Sequence, residues 1–126
     1  MATTDNQSFR VLIVDDSLII RKSLSLQLEH LGHRAETCES GEQALDLLKD
    51  ESFDFMILDL HMEGFTGYDV LEKLQERGSE LPVFVLTADM QKASREKVFE
   101  LGAKGYFNKP QNPNEIMQVI NQVLNV

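Results

Sequence analysis

One cysteine, Cys38, in 126 residues excludes an internal disulfide, so the chain must hold itself with an ordinary core and suits a reducing cytosol. Basic residues are in the minority. Twelve Lys and Arg against twenty-one Asp and Glu leave a net charge of −9, which argues against direct contact with nucleic acid or anionic lipid, both of which call for a basic face. No apolar run approaches membrane-spanning length, and the opening residues MATTDNQS contain no apolar stretch of the kind a secretory leader needs. A cytoplasmic location is therefore expected. Residues 1–8 are read as a short flexible lead-in. No repeat, linker or low-complexity segment divides the remainder, so residues 9–126 are expected to form one domain, large enough to bury about two-thirds of its unfolded surface.

Present instead are short apolar runs, each ending in a side chain with chemistry. Val11-Leu12-Ile13-Val14 runs into Asp15-Asp16, Phe55-Met56-Ile57-Leu58 into Asp59, and Val83-Phe84-Val85-Leu86 into Thr87. A weaker run, Gly105-Tyr106-Phe107-Asn108, ends at Lys109-Pro110. Continuous apolar runs of this length read as strands buried on both faces. A further short strand is expected over residues 34–38. Helices are predicted over about 17–31, 40–49, 67–77 and 91–101, with a last one opened by Asn112-Pro113-Asn114-Glu115. The first carries Ile20, Leu24, Leu28 and Leu31 as its stripe. The second faces inward with Ala44, Leu47 and Leu48, behind a Ser40/Gln43 capping box. The last should bury Ile116, Val119, Ile120, Val123 and Leu124. Five strand–helix pairs make an α/β fold: a doubly wound parallel sheet of flavodoxin-like (βα)5 type with strand order 2-1-3-4-5. The fourth helix is thinly anchored, by Ala93, Val98 and Leu101, with Phe99 off the stripe. It is either peripheral or an element that shifts on a signal.

In that strand order the first and third strands are neighbours, and ligands bind outside the carboxyl ends of such sheets. Asp15, Asp16 and Asp59 then converge. Two carboxylates ~4 Å apart repel by roughly 4 kcal/mol at an effective dielectric near 20. Either a shared proton or a bound cation offsets that. An all-oxygen set without thiolate or paired imidazoles suits Mg2+, or Mn2+, rather than zinc. Asp59 stands alone after its strand and is the candidate nucleophile toward phosphorus. Lys109 offers a fixed positive charge and Thr87 a hydroxyl to a transferred phosphoryl group. His30 closes a helix and His33 lies in a turn. Neither has a partner at metal-ligand spacing, and Cys38 reads as a small buried apolar residue.

The motifs Val14-Asp15-Asp16-Ser17, Leu58-Asp59-Leu60-His61-Met62, Gly67-Tyr68-Asp69-Val70, Leu86-Thr87-Ala88 and Gly105-Tyr106-Phe107-Asn108-Lys109-Pro110 together resemble the receiver domain of two-component response regulators, over about residues 10–126. The resemblance implies the roles that follow. Asp59 is the phosphoacceptor. Asp15, Asp16, Asp59 and the main-chain carbonyl of His61 hold Mg2+, Asp15 directly or through water. Thr87 and Lys109 contact the phosphoryl group. Thr87 and Tyr106 form the switch, which reshapes the face made by the fourth helix, fifth strand and fifth helix. The Lys109–Pro110 bond is cis. His61 and Asp89 occupy the two positions that tune loss of the phosphoryl group, with the alternative that both are merely solvated at the site mouth. Glu63 stands where the family often has Pro, which leaves that loop less rigid.

By the same resemblance the chain is not an enzyme beyond its own phosphorylation and dephosphorylation. Its expected partners are a sensor histidine kinase or histidine phosphotransfer protein, and a downstream target protein or phosphatase. No nucleic acid or membrane partner is expected, and the state is a monomer or a phosphorylation-dependent homodimer. With no output domain after Val126, a stand-alone regulator of chemotaxis type or a phosphorelay intermediate is expected. Competing readings are a flavin or nucleotide binder, an Mg-dependent aspartyl phosphatase and a degenerate receiver used only for docking. The first lacks a Gly-rich phosphate loop, since Asp-Asp-Ser stands there. The second lacks an Asp two residues beyond Asp59, where His61 sits. The third is weakened because no acid, Thr or Lys is missing.

Overall fold

The computed structural model describes residues 8–89, 91–109 and 112–124. Strands β1 (Arg10–Val14), β2 (Arg34–Cys38), β3 (Phe55–Leu58), β4 (Val83–Thr87) and β5 (Gly105–Asn108) alternate with helices α1 (Leu18–His30), α2 (Gly41–Asp50), α3 (Gly67–Glu76), α4 (Lys92–Glu100) and α5 (Pro113–Leu124). All strand pairs are parallel and their order is β2-β1-β3-β4-β5, as expected from the sequence.

The period of two along each strand splits the core into two layers. Leu12, Val14, Met56, Leu58, Val83 and Val85 face Ala44, Leu45, Val70, Leu71, Leu74 and Val98 of α2, α3 and α4. Val11, Ile13, Phe55, Ile57, Phe84 and Leu86 face Leu24 and Leu28 of α1 and Ile116, Met117 and Ile120 of α5. Each large side chain so covered contributes about 1.5–3 kcal/mol of transfer free energy. At the pole opposite the carboxyl ends, Arg10 pairs with Glu36 and Glu51 and lies 4.3 Å over the Phe53 ring, joining β1, β2 and the end of α2.

Several helix faces differ from expectation. In α5 Met117 is buried, while Val119 and Val123 are 37% and 42% exposed, because the helix turns a narrower stripe inward than its apolar content suggests. In α1 Leu31 is exposed, since the helix ends at His30 and Gly32 (φ 97) turns the chain away. In α2 Leu45 joins Ala44 in the core, and Leu47 and Leu48 are half-buried. Ser40 does cap α2 through the Gln43 N–H at 3.2 Å, but the Gln43 side chain reaches the N–H of Glu39 rather than that of Ser40. In α4 Ser94 and Val98 are buried and Ala93 is exposed, and Phe99 is 41% exposed. The Lys109–Pro110 bond and most of the 1–8 lead-in fall outside the described residues.

Candidate functional site

Register places the reactive side chains. Val14 pairs with Leu58 and with Cys38, so the residues that follow β1 and β3 leave the sheet side by side. Main-chain bonds pin both exits: Asp59 N–H to the Val14 carbonyl at 2.9 Å and Asp15 N–H to the Cys38 carbonyl at 3.2 Å. Across the sheet, Lys109 N–H donates to the Thr87 carbonyl at 2.9 Å, which holds the end of β5 against β4.

Asp15, Asp16 and Asp59 each bring an oxygen within 4.8 Å of the others. Asp15 and Asp59 are buried and Asp16 is exposed, so the cluster has an opening to solvent. The Asp15 carboxylate accepts from the Ser17 N–H at 2.9 Å and from Lys109 Nζ at 2.7 Å. Lys109 Nζ also lies 3.3 Å from Asp59. Three carboxylates face one ammonium in direct contact, so negative charge is in excess within the cluster. Burial, and then the charge of Asp15, push the Asp59 carboxyl above its ordinary 3.8 although Lys109 pulls the other way. Burial pulls the Lys109 amine down, but the bond to Asp15 and the charge of Asp59 outweigh it and hold the group above 10.5. A divalent cation would offset that charge, and an exclusively oxygen donor set with one solvent-facing member fits Mg2+ or Mn2+.

The floor beneath Asp59 is tight. Thr66 and Asp69 form a reciprocal capping box at the start of α3, with Thr66 N–H to Asp69 Oδ2 at 2.8 Å and Asp69 N–H to Thr66 Oγ1 at 3.3 Å. The next residue, Gly67, donates to the Leu60 carbonyl at 2.8 Å. A Cβ there would run into the Asp59 carbonyl oxygen and stand 2.8 Å from Leu60 Cα.

The loop after β4 forms the other wall. Thr87 is buried, and its Oγ1 accepts from the Asp89 N–H at 3.2 Å. The Asp89 carboxylate collects His61 Nε2 at 2.7 Å, Ser94 Oγ at 2.6 Å and the Gln91 N–H at 2.8 Å. The Ser94 bond, then those of Gln91 and His61, lower its carboxyl to about 2. The half-buried Tyr106 donates its hydroxyl to the Asp89 carbonyl. His61 and Asp89 are thus paired with each other, with the His61 side chain 56% exposed at the site mouth. Ser94 and Arg21, whose Nη1 donates to the Asp15 carbonyl at 2.8 Å, were not foreseen, because neither stands at a strand end. Beside Asp16, Leu18 and Ile19 in the first turn of α1 are 55% and 78% exposed.

Comparison with known proteins agrees with this fold. Residues 11–121 match the family model described as the response regulator receiver domain. A relative from Guillardia theta, named "Probable transcriptional regulator ycf27", is 40% identical over 115 residues, 91% of this chain and 45% of that protein. A second of that name from Porphyridium aerugineum is 35% identical over 118 residues, 94% of this chain and 49% of the relative. The chain thus spans about half the length of the curated relatives it matches. Among solved structures, the chemotaxis protein CheY4 of Vibrio cholerae superposes with a TM-score of 0.85 at 28% identity, covering 93% of this chain and 99% of that one. A CheY-like receiver protein from Methanospirillum hungatei gives 0.86 at 25% identity, covering 94% and 95%. Among the described residues, no helix is long and apolar enough to cross a membrane.

Proposed function

Because this chain belongs to the response regulator receiver family, we propose that Asp59 is its phosphoacceptor, in a reaction that depends on Mg2+. The observation that carries the reading is the gathering of Asp15, Asp16 and Asp59 at adjoining strand ends, with Lys109 paired to Asp15 and Asp59. An Asp59 carboxylate oxygen forms the new bond to phosphorus. The P–N bond of a phosphohistidine, or the P–O bond of acetyl phosphate, breaks, and its electron pair leaves with the imidazole or acetate. Lys109 and the Thr87 hydroxyl meet the phosphoryl oxygens. Asp15, Asp16, Asp59 and the His61 carbonyl would hold the cation, which contributes charge neutralisation when bound. Thr87 and Tyr106 relay the change to the α4–β5–α5 face, since both bond to the same residue, Asp89. Radiolabelled acetyl phosphate with Mg2+ tests this. A receiver keeps one base-labile phosphoryl, a phosphatase turns substrate over, and a docking module does neither.

The donor in the cell is a phosphohistidine on a sensor kinase or phosphotransfer protein. Leu18 and Ile19 give it an apolar foothold beside the opening. Ile19→Asp is expected to slow transfer from a phosphohistidine protein ~tenfold, the scale of one interface anchor, and to leave labelling by acetyl phosphate unchanged. An equal loss with both donors would remove α1 from the docking surface.

His61 and the carboxylate of Asp89 orient the water that removes the phosphoryl group. His61→Ala and Asp89→Ala are each expected to lengthen its lifetime about threefold or more. Decay at the parent rate in both variants refutes that role.

A stand-alone regulator of chemotaxis or relay type acts through protein contact alone. The curated relatives, about twice as long and named transcriptional regulators, favour a second reading. In it, this acidic stretch is the receiver portion of a regulator whose output is transcription. In that reading the output involves nucleic acid, contrary to the partner expected from the acidic composition.

A further inference from the structure

Helix α4 owes little of its position to apolar burial. Val98 and Ser94 are its buried side chains among the described residues, and Gln91 at its N-cap makes no side-chain bond. Polar contacts make up the difference. Lys97 Nζ lies 4.5 Å over the Tyr68 ring, and Gln75 donates to the Glu100 carbonyl at 3.3 Å. The shortest of these contacts is the bond from Ser94 Oγ to Asp89 Oδ2, at 2.6 Å. That same oxygen takes the bond from His61 Nε2, at 2.7 Å. Its twin, Asp89 Oδ1, accepts from the Gln91 N–H at the start of the helix.

One carboxylate is therefore shared between the first turn of α4 and an imidazole two residues past Asp59. Both of its oxygens are engaged from the α4 side, which stops it from rotating. The His61 side chain is 56% exposed; the Tyr68 ring stands edge-on at 6.2 Å between centroids, and the carboxylate supplies the hydrogen bond that directs the ring. We propose that Ser94 is a positioning residue: its hydroxyl fixes the Asp89 carboxylate that aims the His61 ring, so the placement of α4 sets how long Asp59 stays phosphorylated. This rests on the receiver reading. A partner that draws α4 away from Asp89 is expected to lengthen the phosphoryl lifetime.

Ser94→Ala is the test, with two readouts. One is the decay of label on Asp59. The other is the set of His61 ring resonances by NMR in unphosphorylated, metal-free protein. Decay is expected to slow about three- to tenfold, the worth of one ordinary hydrogen bond. In a His61→Ala background the substitution should add nothing. The ring resonances should move toward those of Asp89→Asn, and Ser94→Thr, which keeps the hydroxyl, should restore both readouts. Parent-like decay, an unmoved ring, or slowing that persists without His61 each overturns the proposal. If no protein takes label, parent included, the receiver reading has failed, and the ring resonances still decide whether Ser94 holds His61. Should Ser94→Ala fold poorly, Ser94→Thr against Ser94→Val isolates the hydroxyl at constant volume.

Discussion

Asp59→Asn is expected to take no label from acetyl phosphate and, without metal, to melt above the parent. The two effects share a cause. The carboxylate that would attack phosphorus is also the one most crowded by its neighbours, as its raised titration range records. Carboxylates within 4.8 Å of each other repel by about 3 kcal/mol or more at an effective dielectric near 20. Lys109, 3.3 Å away, offsets that repulsion, so it is the burial of the carboxylate, added to the charge of Asp15, that tips the balance toward the uncharged side chain. Each kcal/mol so gained raises Tm by roughly 3–5 °C in a domain of this size. The pH dependence has a definite sign. A carboxyl whose folded range lies above its unfolded one favours the folded state below the unfolded value, and that advantage is lost as pH rises through the folded range. The parent therefore gains on Asp59→Asn as pH falls, and the gap closes at about the ordinary carboxylate range of 3.8. Mg2+ closes it too, from the other direction, by stabilising the parent. Melts in chelator at neutral and acid pH, repeated with Mg2+, measure all of this. A variant that melts below the parent in chelator, or labels as fast, sinks both halves of the argument.

Lys109→Ala is expected to have the opposite effect on stability. Removing one partner of a buried ion pair strands the other, at a cost of about 3–5 kcal/mol when burial is complete. Here two acids are stranded, Asp15 at 2.7 Å and Asp59 at 3.3 Å, but the lysine side chain keeps 18% of its exposure. About 2–4 kcal/mol is the expected loss in the metal-free protein. Mg2+ should return much of it, because a divalent charge can stand in for the missing ammonium within the cluster. It should not return labelling, since the phosphoryl oxygens then lack the fixed cation opposite them. Urea unfolding with and without Mg2+ reads the first, and acetyl phosphate labelling the second. If Mg2+ stabilises the variant no more than the parent, Lys109 is not the counter-charge of these acids.

Strand runs were the legible part of this chain. A four-residue apolar block buried on both faces has few other interpretations, and β1, β3 and β4 lie at the residues where such blocks occur. Once the strand order was inferred, convergence of Asp15, Asp16 and Asp59 followed, because parallel register carries residues after neighbouring strands to the same edge. Helix faces were less legible. Met117 is buried ahead of Val119 and Val123 because packing on the sheet selects an arc, and apolar identity does not say which arc when half of a helix is apolar. The Thr66–Asp69 box carried a readable signal, a Thr three residues before an acid. Ser94 carried none: a serine in a polar helix takes on meaning only when the fold sets it against Asp89.

Gly67 has no reactive atom, yet its lack of a side chain fixes how closely α3 can approach the backbone of Asp59 and Leu60. A single methyl at that point would act as a wedge, lifting the peptide that carries the acceptor out of line with the other acids. Among randomised variants of this chain, position 67 would consequently rank with the reactive aspartate in intolerance. The shared rank would reflect clearance between two stretches of backbone, and a ledger of essential positions alone would mistake a spacer for a participant.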